Sequence, residues 1–318
     1  MTPERHKPPE LAEDRFVGSK DLTRWKTPVG RFFARAMERA SRLLGPHTAL
    51  MLTLAAGAII ATALTALSAE VYEAVAESDG VAVLDQPLLD TAVTLRSPEA
   101  NAAMTAFTNL GGGVGMTVLA ALALLALTLQ RKSWTPLVLT AAAAGGSLLM
   151  TIAGKEVIGR TRPPLSSAVA PFEHSPSFPS GHSLNSIVIA GVVAYLLVLR
   201  HSSKHARVLT IAGAALFAVA MGLSRVFLGH HWFTDVLVAW TLGIAWLATV
   251  ITIHRLFLTV RYRRAGGRRQ ARTGRGGTGS GPGVPWKHQP AYVRRARPLE
   301  DSSHDNTSIS AGERPPAQ

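Results

Sequence analysis

Six stretches of this chain are nearly free of charge and long enough to be membrane-crossing helices: 48–68, 113–129, 136–154, 183–199, 208–223 and 232–253. A helix rising about 1.5 Å per residue needs roughly 17–25 apolar residues to cross the hydrocarbon core. The runs at 183–199 and 208–223 are short and need flanking residues to cross. A soluble core can supply apolar runs, but six of them separated by charged punctuation point to a membrane bundle. The expected fold is therefore all-α, a polytopic bundle of six transmembrane helices.

The charge pattern orients such a bundle. The 318 residues are 47% hydrophobic, yet the formal net charge is +13. Nearly all of that excess lies in two end segments. Residues 1–47 carry net +4, residues 259–318 carry net +8, and the middle block only +1. With both termini cytoplasmic, 28 basic residues fall inside and 5 outside, as the positive-inside rule requires. The first apolar run follows a polar leader too long for a cleaved secretory signal, so it reads as a retained span. The absence of cysteine excludes disulfide scaffolds and cysteine-ligated metal sites.

Three domains are expected. Residues 1–47 form a basic cytoplasmic segment, with an amphipathic helix over Gly30 to Leu44. Residues 48–258 form the six-span domain. Residues 259–318 form a disordered basic tail whose Arg and Lys meet anionic headgroups of the bilayer. Arg-Gly-Gly fragments there hint at nucleic acid, but membrane contact is the stronger reading, with no specific nucleic-acid partner. In the first outer loop, 69–112, Leu84, Leu88, Leu89, Ala92 and Leu95 recur near helical spacing. The bulky apolar series lapses over Arg96 to Ala103 and resumes at Met104. That pattern predicts one or two amphipathic helices, on the membrane surface or capping the bundle.

Four of the five outer basic residues cluster beyond the third and fifth spans, on the face that should be poor in cations. They fall in short strings. Lys155, Arg162 and Pro163 stand in K-x6-R-P; Pro179, Ser180, Gly181 and His182 spell P-S-G-H; Ser224, Arg225, His231 and Asp235 stand in S-R-x5-H-x3-D. Arginine forks match phosphate oxygens, and lysine adds a point charge. Ser180, Gly181 and His182 open the fourth span, where backbone N–H groups favour an anion. His231 and Asp235 are four apart, so on a helix they face the same way. An Asp bonded to one ring nitrogen fixes the tautomer and leaves the other nitrogen free to attack. Singly, each string has an ordinary explanation as a span end, a Ser N-cap or an interfacial histidine. Together they meet on one face, which the ordinary explanations do not account for.

These three strings resemble the signature motifs of the type 2 phosphatidic acid phosphatase superfamily, which also includes soluble acid phosphatases and vanadium haloperoxidases. The motifs span 155–235 without departure. The resemblance implies a phosphatase in which His231 is the nucleophile and forms a phosphohistidine. It implies that Asp235 orients the His231 ring, and that His182 is general acid and then base. Lys155, Arg162, Ser180, Gly181 through its backbone, and Arg225 would hold the phosphoryl oxygens. The motif spacing selects His231 over its neighbour His230. No metal or other cofactor is implied. A site at the outer membrane–water boundary suits a lipid phosphate: phosphatidate, phosphatidylglycerol phosphate, diacylglycerol pyrophosphate or polyprenyl diphosphate. A lipid phosphotransferase of related fold is the nearest rival. A non-enzymatic lipid or anion transporter would not need the His–Asp pair beside a second histidine.

Overall fold

The computed structural model describes residues 14–28, 30–39, 59–60, 63, 81–131 and 133–275. The predicted first span, 48–68, lies outside the described residues apart from three positions. Residues up to Ala271 form one compact unit, and of the second unit, Arg272–Gln318, only the first four residues are described.

From Asp85 the helices follow one another with short breaks, except for the long segment 159–180. Two of them, α1 (Asp85–Thr94) and α2 (Pro98–Asn109), occupy the predicted outer loop. Five longer ones follow: α3 (Gly113–Arg131), α4 (Thr135–Ile158), α5 (Gly181–Val198), α6 (Lys204–Phe227) and α7 (Phe233–Arg275). Thr135–Ile158, Gly181–Val198, Lys204–Phe227 and Phe233–Tyr262 are long and apolar enough to cross a membrane. A fifth span is added if α2 and α3, which bend by 51° at their junction, count as one broken span. The short predicted span at 208–223 is completed by its flanks, since α6 extends four residues further at each end. Helix α7 runs past Leu258, so the start of the predicted tail is helical, with Leu258, Thr259 and Val260 buried.

The local signals for starting and stopping are conventional. Ser97 caps α2, accepting from the Ala100 N–H at 3.1 Å, with Pro98 at the first helical position. The break between α1 and α2, at residues 95–97, falls at the start of the lapse in bulky apolar residues, and this cap begins α2 within it. Gly159 ends α4 in the left-handed conformation (φ 59°), a geometry that only glycine adopts without penalty.

The core lies where α4, α5 and α7 meet. Met150, Leu184, Val188, Val192, Ala239 and Leu242 are buried there, with Leu127 of α3 at its edge. Glycines let these helices approach closely. A Cβ on Gly243 would stand 1.9 Å from Ile187, and one on Gly191 would stand 2.3 Å from Leu247. Small residues at such crossings maximise van der Waals contact, which holds membrane helices together when lipid competes for apolar surface. Outward-facing side chains are also apolar: Leu209 is 72% and Leu216 71% exposed. Such a belt suits hydrocarbon rather than water.

The two ends of the bundle differ. At one end a small antiparallel hairpin, β1 (Phe16–Val17) and β2 (Lys20–Asp21), is tied to α7. The Trp25 indole donates to Thr259 Oγ1 at 3.1 Å, and the Arg255 guanidinium donates to the Leu22 carbonyl at 3.1 Å. The predicted helix over Gly30 to Leu44 is helical through residue 39, with Phe32 and Phe33 exposed. At the other end, α1 and α2 cap the bundle by packing on α6. Leu89 and Ala92 face inward, and Arg96 donates to the carbonyls of Phe227 (2.8 Å) and Ser167 (2.9 Å).

Filling a close crossing is expected to destabilise the bundle. Gly243→Val should lower the thermal midpoint in detergent, with an overpacking cost of about 1–3 kcal/mol. Gly213→Val, at a position with nothing within 4 Å, should leave the midpoint close to wild type.

Candidate active site

The antiparallel run of the helices brings four helix ends together at the capped end. Lys155 is on the last turn of α4 and Arg225 on the last turn of α6. Ser180 caps α5, and Asp235 lies in the first turn of α7. The Ser180 N–H reaches the Asp235 carbonyl at 3.4 Å, joining the two helix starts.

His231 sits in the turn before α7, two residues short of the helix. The expected helical i, i+4 pairing with Asp235 is therefore replaced by turn geometry. Gly229, at φ +70°, reverses the chain after α6, and the His231 N–H bonds back to the Arg225 carbonyl. The His231 Nδ1 is 3.7 Å from Asp235 Oδ2, too far for a direct hydrogen bond. Ser177 fills the gap: its hydroxyl donates to Asp235 Oδ2 at 2.5 Å and lies 3.3 Å from His231 Nδ1. With the proton on Nδ1, the ring donates to Ser177 and its Nε2 lone pair faces the cations. Arg162 Nη1 is 3.2 Å from that Nε2.

Asp235 is fully buried and held from several sides. Arg160 Nη1 donates to its Oδ1 at 2.7 Å, and the Trp232 N–H donates to Oδ2 at 3.0 Å. The same guanidinium reaches Asp85 Oδ2 of α1 at 2.8 Å. Asp85 in turn accepts from the Thr234 N–H at 2.8 Å and the Thr234 hydroxyl at 2.6 Å. The first helix of the outer loop thus braces the start of α7.

The expected cations gather beside His231. Lys155 Nζ and Arg162 Nη2 each lie 3.1 Å from the Ser175 hydroxyl, and Arg162 Nε donates to the Ser175 carbonyl at 2.6 Å. Arg225 is almost completely buried and donates to Thr108 Oγ1 at 3.1 Å. Glu173 joins the two arginines: Arg162 Nη2 is 2.8 Å from its Oε2, and Arg225 Nη2 pairs closely with its Oε1. The Ser180 hydroxyl is occupied within α5, accepting from the Ser183 hydroxyl at 2.8 Å. Gly181 packs close to Thr151, where a Cβ would stand 3.3 Å from its methyl group. His182 follows on the first turn of α5, and its Nε2 lies 3.4 Å from where a Cβ on Gly112 would stand. His230 turns away, with its Nε2 2.7 Å from the Val169 carbonyl.

Burial disfavours the imidazolium of His231, and Arg162 and Arg225 add to this against the opposing pull of Asp235, so its pKa falls to about 4. At neutral pH the ring is an uncharged base, as a nucleophile requires. For Glu173, burial pushes the pKa up, but Arg225 and Arg162 outweigh it and bring it down to about 2. Burial also lowers the Arg162 pKa, opposed by Glu173 and Asp235. Among the described residues, no group of three His, Asp or Glu side chains is placed to hold a metal ion.

Five participants were not singled out from sequence: Glu173, Ser175, Ser177, Asp85 and Thr234. Arg160 lies inside K-x6-R-P, at a position that the motif leaves open. Glu173, Ser175 and Ser177 lie in the irregular segment between α4 and α5, which has no periodicity. Asp85 stands at the head of the first outer-loop helix, and its burial next to an arginine has no local sequence signal.

Membrane-spanning helices around a buried His–Ser–Asp relay and a cluster of guanidiniums define a membrane-embedded phosphoryl-group enzyme. Comparison with known proteins agrees. The profile of the PAP2 superfamily matches residues 134–258. Phosphatidylglycerophosphatase B of Bacillus subtilis (strain 168) is 36% identical over 176 residues, which is 55% of this chain and 85% of that protein. The crystal structure of a transmembrane PAP2-type phosphatidylglycerolphosphate phosphatase from Bacillus subtilis superposes with a TM-score of 0.52. It is 32% identical and matches 61% of this chain and 93% of that one. The chain belongs to the PAP2 superfamily, the type 2 phosphatidic acid phosphatases. It is a multi-pass membrane protein and a lipid phosphatase.

The electrostatics of the site give a direct expectation. In full-length protein labelled with 15N-histidine, the His231 ring should titrate near pH 4. A midpoint near the ordinary value of about 6.5 would contradict the buried, arginine-flanked environment described above.

Proposed function

We propose that this phosphatase removes the terminal phosphate of a lipid phosphate through a phosphohistidine on His231, with phosphatidylglycerol phosphate as the leading substrate. The observation that carries the mechanism is the placement of His231: Nδ1 linked through Ser177 to Asp235, and Nε2 3.2 Å from Arg162. The choice of lipid is supported by the names of the similar sequence and the similar solved structure, both for a phosphatidylglycerol phosphate phosphatase of Bacillus subtilis.

The reaction runs in two balanced steps. The Nε2 lone pair of His231 attacks phosphorus, and the bond from phosphorus to the lipid oxygen breaks. His182 gives its proton to that leaving oxygen. His182 then takes a proton from water, the water oxygen attacks phosphorus, the P–N bond breaks, and inorganic phosphate leaves. Lys155, Arg162 and Arg225 hold the non-bridging oxygens and stabilise their charge in both transition states, aided by the Ser180 hydroxyl and the backbone N–H of Gly181 at the start of α5. Asp235 keeps the proton on Nδ1 and stabilises the ring as it becomes positive.

The lipid substrate is supported by the surroundings of the site. The cations sit at the ends of membrane helices, so a phosphate can reach them while its tails stay in the bilayer. The basic count favours an extracytoplasmic site. The hairpin end carries Arg15, Lys20, Arg24, Lys26, Arg207 and Arg255 and is the cytoplasmic end under the positive-inside rule.

Purified protein assayed against a panel of lipid phosphates and diphosphates should release phosphate fastest from phosphatidylglycerol phosphate. Vanadate should inhibit, and His231→Ala should lose at least about a thousandfold in rate, corresponding to ~4 kcal/mol of transition-state stabilisation. Full activity in His231→Ala would overturn the mechanism. A stronger preference for a polyprenyl diphosphate would move the assignment to that lipid.

A further inference from the structure

The two arginines assigned to the phosphoryl oxygens already hold oxygens of another group. Glu173 presents one carboxylate oxygen to Arg162 and the other to Arg225. Carboxylate and phosphate offer the same fork-matching pair of oxygens to a guanidinium. Lys155 is next to this pair, sharing the Ser175 hydroxyl with Arg162.

We infer that Glu173 is an internal competitor for the phosphate cradle, and that it sets the selectivity for membrane-anchored over water-soluble phosphates. The inference rests on the proposed phosphate-holding role of Arg162 and Arg225. An incoming phosphate and the Glu173 carboxylate cannot share those forks, because like charges brought together in a buried site repel strongly. One of the two must leave, and the exposures indicate which. The Arg225 and Arg162 side chains are 2% and 11% exposed, whereas Glu173 is 31% exposed and stands in the irregular segment between Leu165–Ser167 and α5. The carboxylate is the more open to water of the three groups.

Displacing Glu173 costs every anion the same free energy, but anions differ in what offsets that cost. A lipid phosphate is confined to the bilayer beside the site, which raises its effective concentration there. Inorganic phosphate and soluble monoesters have no such anchor. Glu173 therefore excludes soluble phosphates and helps to expel the phosphate product by rebinding the arginines.

The test uses full-length protein in lipid nanodiscs and compares wild type, Glu173→Gln and Glu173→Asp. Three quantities are measured: inorganic phosphate affinity by calorimetry, its inhibition constant, and kcat/KM for p-nitrophenyl phosphate relative to a lipid phosphate. The amide of Glu173→Gln can still accept hydrogen bonds but carries no charge. Phosphate should bind about tenfold or more tightly to it, a change of ~1.4 kcal/mol. The preference for lipid over soluble ester should fall by a similar factor. The shorter carboxylate of Glu173→Asp cannot span both guanidiniums, so the same changes should appear in smaller size. If Glu173→Gln does not fold, Glu173→Asp decides. Phosphate affinity that is unchanged or weaker in the folded variants overturns the inference. Arg162→Gln, measured in parallel, separates the two claims. Loss of phosphate binding there without tightening in the Glu173 variants refutes the competitor alone. Phosphate binding indifferent to Arg162→Gln refutes the cradle itself, and the competitor with it.

Discussion

The buried ion pair between Arg160 and Asp235 is the contact on which the geometry of the site depends. An ionised carboxylate with no exposed surface is tolerable only when charge and hydrogen bonds surround it. Arg160, Ser177 and the Trp232 N–H supply them. The same guanidinium reaches Asp85 on α1, which also receives two bonds from Thr234. One arginine thereby locks the capping helix, the α4–α5 segment and the start of α7 into a single arrangement. His231 inherits its tautomer and direction from that arrangement through Ser177. Removing Arg160 alone would leave the Asp235 carboxylate buried without its charge partner, which costs more than the pair contributes to stability.

The bundle contributes placement. Its helices alternate in direction, so the C-terminal ends of α4 and α6 meet the N-terminal ends of α5 and α7. Cations at the first two ends and N–H groups at the others converge on one volume. Close crossings at Gly191 and Gly243 hold α5 and α7 in register, and with them His182 and Asp235. The site is thus built from helix ends and the segments that join them, with the rigid helices as scaffold.

The helices were legible in the sequence because their signal is local: long uncharged runs, and in the outer loop the helical spacing of Leu88, Leu89, Ala92 and Leu95. The predicted site residues Lys155, Arg162, Arg225, His231 and Asp235 do converge, since each sits in a spaced motif at a span end. The residues that join them were not legible. Ser177 and Glu173 lie in a segment with no periodic pattern, and Asp85 acts on Thr234 from 149 positions away. Their partners are set by tertiary contact, which leaves no trace in spacing. The direct His231–Asp235 pairing expected from helical geometry also gave way, because the turn at Gly229 delays the start of α7 until Phe233. The first predicted span lies outside the described residues apart from positions 59, 60 and 63.

The central claim is that His231 becomes covalently phosphorylated. Rapid acid- and base-quench experiments with 32P-labelled phosphatidylglycerol phosphate test it directly. The account predicts an acid-labile, base-stable label on the protein, mapped by peptide analysis to His231, forming and decaying within one turnover and absent in His231→Ala. Turnover of the labelled lipid with no protein-bound label, or a label mapped to another residue, would contradict it.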